Sequence, residues 1–466
     1  MAPDDDQIGE LLAETARRSA EYLATVADRP VAPSATRAEL TEIFGTAMPE
    51  EGEDATTILR RLASAEVGIM ATAGPRFFGF VVGGALPAAL AADWLGTAWD
   101  QNAALYVASP AASVVEEVAG RWILDLLALP EDSSFGFVNG GQAGNTVALA
   151  AARHHVLADV GWDVEEDGLR GAPAIAVITG RERHATIDTS LRHLGLGRSS
   201  LVLVDTDDQG RADPSAVRDA LHRAPGPAIV CTQAGDVNSG CFDDFPTLCD
   251  LAAEHGAWVH VDGAIGLWAT ASTTHRHLMD GAERADSWSV DAHKLLNVPY
   301  GSGLVLCRHP DAHRAAMSIQ VSYLPSAAAD GPRDPSAYTA ELSHRARGFA
   351  VWAALRSLGR RGVGELVDRV CAHARRFAER LGAVDGVEIL NDVVFDQVLV
   401  RFGDSDEQTR AVVARVQADG TCWLGSTVWH GRTAIRISVA NWSTTAADVD
   451  RSVDAILTAF AMVSKG

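Results

Sequence analysis

Between residues 74 and 348, short apolar runs rich in Val and Ile alternate with stretches of helical periodicity, and no other feature of the 466-residue chain limits its fold so tightly. Runs of consecutive apolar residues bury both faces of a strand, and strands of that kind belong to parallel or mixed sheets covered by helices. The expected strands are 174–179, 200–204, 228–232, 258–261 and 303–307, each ending near polar or glycine residues. In open α/β sheets a ligand sits outside the carboxyl ends of the strands, so chemistry is to be sought at those polar endings. Residues 1–73 read as an N-terminal helical arm, with helices over 7–27 and 56–69 and the connector Arg29-Pro-Val-Ala-Pro-Ser. Residues 349–466 read as a small C-terminal α+β domain, with a long amphipathic helix, strands at 397–401 and 433–439, and a capped helix after Trp442-Ser-Thr-Thr. A division at 1–73, 74–348 and 349–466 suits a chain too long for one ordinary hydrophobic core.

Thirty-nine basic against 61 acidic side chains give a formal net charge of −22. That balance repels phosphate backbones and anionic lipid, which argues against nucleic acid or a membrane surface as partner. Six scattered cysteines (Cys231, Cys241, Cys249, Cys307, Cys371 and Cys422) form no Cys-x-x-Cys pair and have no His at zinc-ligand spacing. Reduced, buried thiols and no metal are expected. The acidic start Met1-Ala-Pro-Asp-Asp-Asp is unlike a secretory signal, and the uncharged runs 77–92 and 133–152 are interrupted by glycine, so a cytoplasmic chain without a membrane span is expected.

Four segments carry chemistry. In Ser287-Trp-Ser-Val-Asp-Ala-His-Lys-Leu-Leu-Asn-Val-Pro-Tyr-Gly-Ser-Gly, a His-Lys pair stands in an apolar setting just before a buried strand. Lysine is seldom buried without a reason, and desolvation favours a neutral amine able to attack an aldehyde; the aldehyde of pyridoxal 5'-phosphate (PLP) would supply that reason for Lys294. The alternative is a surface lysine in a turn. Thirty-two residues earlier, Trp258-Val-His-Val ends in Asp262, a carboxylate placed to keep a pyridine nitrogen protonated, or else only a helix N-cap. Asn139-Gly-Gly-Gln-Ala-Gly-Asn precedes a helical run, so free backbone N–H groups can face a phosphate, although such a turn is commonly only a turn. The spacing matches neither a dinucleotide fingerprint nor a P-loop. His184, just beyond a strand, could stack on a cofactor ring or be structural.

On these residues the sequence resembles the group II pyridoxal-dependent amino acid decarboxylases. The resemblance also includes Arg29-Pro-Val-Ala-Pro, Gly74-Pro-Arg-Phe-Phe-Gly-Phe, Ala108-Ser-Pro-Ala with Glu116, His260-Val-Asp, Asp291-Ala-His-Lys and Glu341-Leu-Ser-His-Arg-Ala-Arg. It implies an α/β fold of the fold type I PLP class, with a mostly parallel seven-stranded sheet, and an obligate homodimer with active sites at the interface. By resemblance, Lys294 is the Schiff-base lysine, Asp262 the pyridinium partner, His184 the ring-stacking base, and His293 a contact to phosphate or substrate. Tyr323, 29 residues past the lysine, matches a catalytic loop tyrosine, which favours decarboxylation over oxidative aldehyde formation.

Two departures matter. The usual Gly-Gly-Thr-Glu-Ala-Asn turn is Gly140-Gly-Gln-Ala-Gly-Asn145, and the common Gly-Thr-Thr loop is Gly235-Asp-Val, so hydroxyl contacts are lost while backbone donors remain. Gly141, Gln142, Ala143, Asn145 and Ala264 are the remaining cofactor contacts expected. Phe80 is a candidate wall against the substrate carboxylate, and Asn102 with Ala104 replaces an apolar shelf, so an aromatic substrate is not assumed. Arg436 lies on a strand where PLP aminotransferases grip a carboxylate; here a structural ion pair is expected, because a bidentate clamp would stabilise the group that must leave. The reaction expected is decarboxylation of an L-amino acid. The alternatives are an aldehyde synthase, another PLP lyase such as an aldolase, an aminotransferase, or a non-catalytic scaffold.

Overall fold

The computed structural model describes residues 5–319 and 331–465. Seven strands form one sheet: β1 (Ser134–Val138), β2 (Ala176–Gly180), β3 (Leu201–Val204), β4 (Ala228–Gln233), β5 (Trp258–Asp262), β6 (Ser287–Asp291) and β7 (Gly303–Cys307). Their order is β1-β7-β6-β5-β4-β2-β3, and β7 runs antiparallel to both neighbours while every other pairing is parallel. All strands but the edge strand β3 are buried along their length, because apolar layers cover both faces. On one side Val156, Leu157, Ile187 and Leu191 pack on Val177, Ile229 and Trp258. On the other, Trp268 and Trp288 join a core that continues through Phe377 and Phe395 into a second sheet.

That second sheet is wholly antiparallel, in the order β10-β11-β9-β8, from β8 (Val387–Ile389), β9 (Gln397–Phe402), β10 (Gly425–Trp429) and β11 (Arg432–Ser438). β10 and β11 meet at His430-Gly431, both at positive φ (48° and 76°), as a two-residue hairpin of right-handed twist demands. Helix Gly348–Gly382, broken at Gly359, and helix Ala446–Val463, opened by a Thr445/Asp448 capping box, flank it. No described helix is long and apolar enough to cross a membrane. All six cysteines are buried and unpaired.

The chain before the large sheet is tied to the second one. Trp423 N–H donates to the Arg76 carbonyl (3.1 Å), Phe78 N–H to the Trp423 carbonyl (2.8 Å) and Ser438 N–H to the Phe78 carbonyl (3.0 Å). The buried Arg76 guanidinium donates to the carbonyls of Ala27, Arg29 and Thr421 and lies 3.5 Å from Asp448, pinning the arm to the same region. Just past Gly79, Phe80 and Val81 both have positive φ (53° and 57°), a conformation unfavourable for bulky and β-branched side chains. It persists because both flanks are held, the second by Leu86 N–H donating to the Asn297 carbonyl at 2.7 Å.

Between those flanks, Gly83 presses on the chain that carries Lys294. A Cβ at Gly83 would lie 1.9 Å from the Lys294 carbonyl oxygen, and the obstacle is backbone rather than a flexible side chain. Gly83→Ala should therefore cost about 3 kcal/mol or more in urea unfolding, at the upper end of overpacking substitutions, and should also weaken cofactor uptake by shifting Lys294.

Candidate active site

Period-2 alternation places His260 and Asp262 of β5 on one sheet face, and likewise Ser287, Ser289 and Asp291 of β6. The parallel register sets His260 beside Ser287 and Asp262 beside Ser289. This polar row lies beneath the first turn of helix Gly141–Ala158, whose Asn145 is fully buried and bonds to three of its members. Asn145 Nδ2 donates to Asp262 Oδ2 (2.8 Å), while Asn145 Oδ1 takes Ser289 Oγ–H (2.5 Å) and faces His260 Nε2 (2.9 Å). A carboxylate accepts only, so the amide has one satisfactory orientation, and His260 must carry its proton on Nε2. Burial drives the His260 pKa from 6.5 to about 4, leaving it neutral, with Nδ1 3.0 Å from Ser287 Oγ. Asp262 Oδ1 accepts the Ala264 N–H at 3.3 Å, so the carboxylate is fixed at both oxygens.

Above this row opens a cleft of about 650 Å³, within the range of small-molecule sites, at the carboxyl ends of β1, β2, β4, β5 and β6. Lys294 and Asp262 both line it. Lys294 Nζ lies 2.9 Å from Asp291 Oδ2. His184 N-caps helix Ala185–His193, and its Nδ1 accepts from Thr186 N–H (3.4 Å) and sits 2.8 Å from Thr186 Oγ1. Its backbone N–H donates to Gln233 Oε1 (3.1 Å), which anchors the imidazole at the cleft wall with Nε2 unpaired among the described residues. His293 Nδ1 is 2.6 Å from the Ser302 carbonyl oxygen and 3.2 Å from the Ser302 N–H; the shorter contact favours the proton on Nδ1, with Nε2 as the acceptor. Burial lowers the His293 pKa, Asp291 opposing it, and the nearby Tyr300, its ring 4.5 Å away, is pushed up to about 12 by burial.

The donor set fits PLP: a primary amine, a carboxylate held rigid by two N–H groups, and the start of an 18-residue helix, all opening on one cleft. Of the expected contacts, Gly141, Gln142, Ala143, Asn145, Ala264, His184, His293 and Phe80 also line it. Asn102 does not: its side chain is turned to the 343–344 segment, accepting the His344 N–H (3.1 Å) and lying 3.4 Å from Ser343 Oγ. Ala104 is buried outside the cleft, its carbonyl accepting from Ser336 N–H. The ion pair expected of Arg436 is also absent among the described residues; Asp236 and Asp396 act on it only at longer range, and burial lowers its pKa. Tyr323 lies outside the described residues.

Several residues at the site carry no role in the sequence reading: Ser289, Thr186, Gln233, Asp291 and, behind them, His260 and Gly83. For His260 a signal existed, since a residue two before a strand-end aspartate shares its face. The neutral His260 sets a pH limit. The unfolded chain takes up a proton below 6.5 and the folded protein does not until about 4, so stability falls as pH drops through that window. In urea unfolding, the loss between neutral pH and about pH 4.5 should be smaller by about 2 kcal/mol in His260→Gln than in the wild type.

Residues 38–402 match the family described as the pyridoxal-dependent decarboxylase conserved domain. The chain is 28% identical over 363 residues to the acidic amino acid decarboxylase GADL1 of Bos taurus, covering 76% of this chain and 68% of the other. It is 27% identical over 436 residues to the cysteine sulfinic acid decarboxylase of Homo sapiens, covering 88% and 87%. A solved structure of the Oryza sativa enzyme TDC with PLP and tryptamine superposes with a TM-score of 0.92 at 24% identity, over 99% of each chain. With the family match spanning most of the chain and the cleft fitted to the cofactor, this chain belongs to the pyridoxal-dependent decarboxylase family, the PLP-dependent carboxy-lyases of amino acids.

Proposed function

We propose that the protein removes the α-carboxylate of an L-amino acid as carbon dioxide and releases the corresponding amine. The observation that carries this reading is that Lys294 and Asp262, from the ends of adjacent strands, open into one cleft beneath the start of helix Gly141–Ala158. Lys294 would hold the aldehyde carbon of PLP, Asp262 the ring nitrogen, and the amides of Gly141, Gln142 and Ala143 the phosphate, with His184 against the ring and Ala264 and His293 beside it. When bound, the protonated pyridine supplies an electron sink for the charge left at Cα.

The chain's own residues then select the bond that breaks. Asn145 acts through Asp262, holding the carboxylate at Oδ2 so that it stays an acceptor for the ring N–H. Phe80, 68% exposed at the mouth, offers an apolar wall that excludes water from a carboxylate set upright against it. No arginine is found among the described residues lining the cleft, so nothing there clamps the group that must leave. His293 Nε2, an acceptor, faces the substrate. Tyr323 is the proposed acid that delivers a proton to Cα.

The working unit is a homodimer with its active sites at the interface. Trp94 and Leu95, in helix Pro87–Ala98, and the following Trp99 are exposed large apolar groups, as are Ile58 and Leu62 of helix Ala55–Ser64, and a second copy would cover them. Asn102, which follows Trp99 by three residues, would then act at the boundary between subunits rather than inside one cleft. Sedimentation of the purified protein reads this directly.

The functional test is product analysis with the standard amino acids, diaminobutyrate and DOPA. Amine and carbon dioxide without peroxide or keto acid are expected; peroxide with ammonia would make the protein an aldehyde synthase, and keto acid an aminotransferase. Lys294→Ala should lose both product and the cofactor's visible absorbance band. Tyr323→Phe should lower amine formation by about 10²-fold and raise the aldehyde share.

A further inference from the structure

Asp291 ends β6 and is only 3% exposed, yet among the described residues no arginine pairs with it. Its Oδ1 accepts the Gly141 N–H at 2.6 Å, and its Oδ2 lies 2.9 Å from Lys294 Nζ. The glycines around it are there to admit it: a Cβ on Gly303 would stand 3.0 Å from Oδ1, and one on Gly141 3.1 Å from Oδ2. The first amide of a long helix is a strong anion site, because its N–H is unpaired within the helix and the helix dipole adds to it. Here a side chain of the protein already supplies that anion, and the same side chain pairs with the Lys294 amine.

We propose that Asp291 is the resident anion of the phosphate end of the cleft, a positioning residue that cofactor loading must displace from both Gly141 and Lys294. The inference rests on the reading above that the phosphate lies at residues 141–143. A phosphate ester, with its second ionisation near pH 6, then meets a carboxylate at its own binding amide, and the repulsion grows as the phosphate gains its second charge. The groups facing Asp291 are Lys294 and His293 on its own segment, Tyr300 on the loop that follows, and the backbone amides of the helix start; Ala264, Gly140 and Gly303, which pack on it from the other elements, carry no charge. Lys294 and the helix start attract an anion and Asp291 repels it, so Asp291 sets how strongly phosphate binds and how that strength changes with pH.

The test uses apo protein and inorganic phosphate, titrated by calorimetry from about pH 6 to pH 8, where phosphate gains its second charge. Wild type should bind phosphate more weakly as pH rises. Asp291→Asn should bind it about tenfold more tightly or better at the upper end and show a flatter pH dependence, because the competing charge is gone. Asp291→Ser, which keeps a capping oxygen for Gly141, guards against a folding defect and should behave the same way. In thermal unfolding both variants should melt below wild type without ligand, yet gain more from phosphate and from PLP than wild type does; a merely structural aspartate would give the first effect and not the second. Phosphate and PLP binding no tighter in either variant than in wild type would overturn the proposal. The reading beneath it fails by a different signal, the absence of any Lys294-dependent visible band with PLP, and the inorganic phosphate titration is scored independently of that band.

Discussion

One buried amide organises this molecule. Asn145 sits where helix and sheet touch, and its two ends face opposite requirements: the NH2 group must meet the Asp262 carboxylate, and the oxygen must meet Ser289 and His260. Leaving any of these groups unpaired in the interior would cost about 1–3 kcal/mol each, so the network admits one arrangement of helix over strands. Because Asn145 directly follows the first turn of helix Gly141–Ala158, fixing it also fixes the free amides of that turn over the strand ends. The acid proposed for the ring nitrogen and the donors proposed for the phosphate are therefore set by the same contact.

Lysine placement depends on a second convergence, of three segments distant in sequence. Gly83 lies against the Lys294 carbonyl, and Asn297, three residues on, gives its carbonyl to Leu86 N–H and its side-chain N–H to the Ala440 carbonyl at 3.0 Å while accepting Trp442 N–H at 2.9 Å. The strained pair Phe80–Val81 stands just before this junction. The backbone that presents the Lys294 amine is thus gripped both by the strap from residues 76–86 and by the chain leaving β11, which links the position of Lys294 to the second sheet.

Much of this was readable beforehand, for reasons that differ by element. β2, β4 and β5 announced themselves through Val- and Ile-rich runs, and Lys294, Asp262, His184 and the glycine turn do share one cleft. β1 (Ser-Phe-Gly-Phe-Val) and β6 (Ser-Trp-Ser-Val-Asp) escaped because their alternating small, aromatic and polar residues mimic no apolar run; in β6 the polar members are the row beneath Asn145. β8 and β10 are short or half exposed, and the His430-Gly431 turn between β10 and β11 is not the usual asparagine-glycine signal. Asn102 and Arg436 show the other limit. Position along the chain suggested a pocket residue and a paired arginine, but where a side chain points depends on segments hundreds of residues away, such as 343–344 for Asn102.

The reversed direction of β7 has a consequence of its own. In the parallel strands the chain leaves the sheet at the cleft, and its loops are free to differ in length there. At β7 the chain enters instead, with Gly303 level with Val138 and Asp291, so residues 292–302 are a bridge anchored at both ends beside the site. Inserting even one residue into that bridge would leave slack between two fixed strand ends. Evolutionary drift in loop length should therefore accumulate at the far rim, beside the half-exposed β3, and be purged between Asp291 and Gly303.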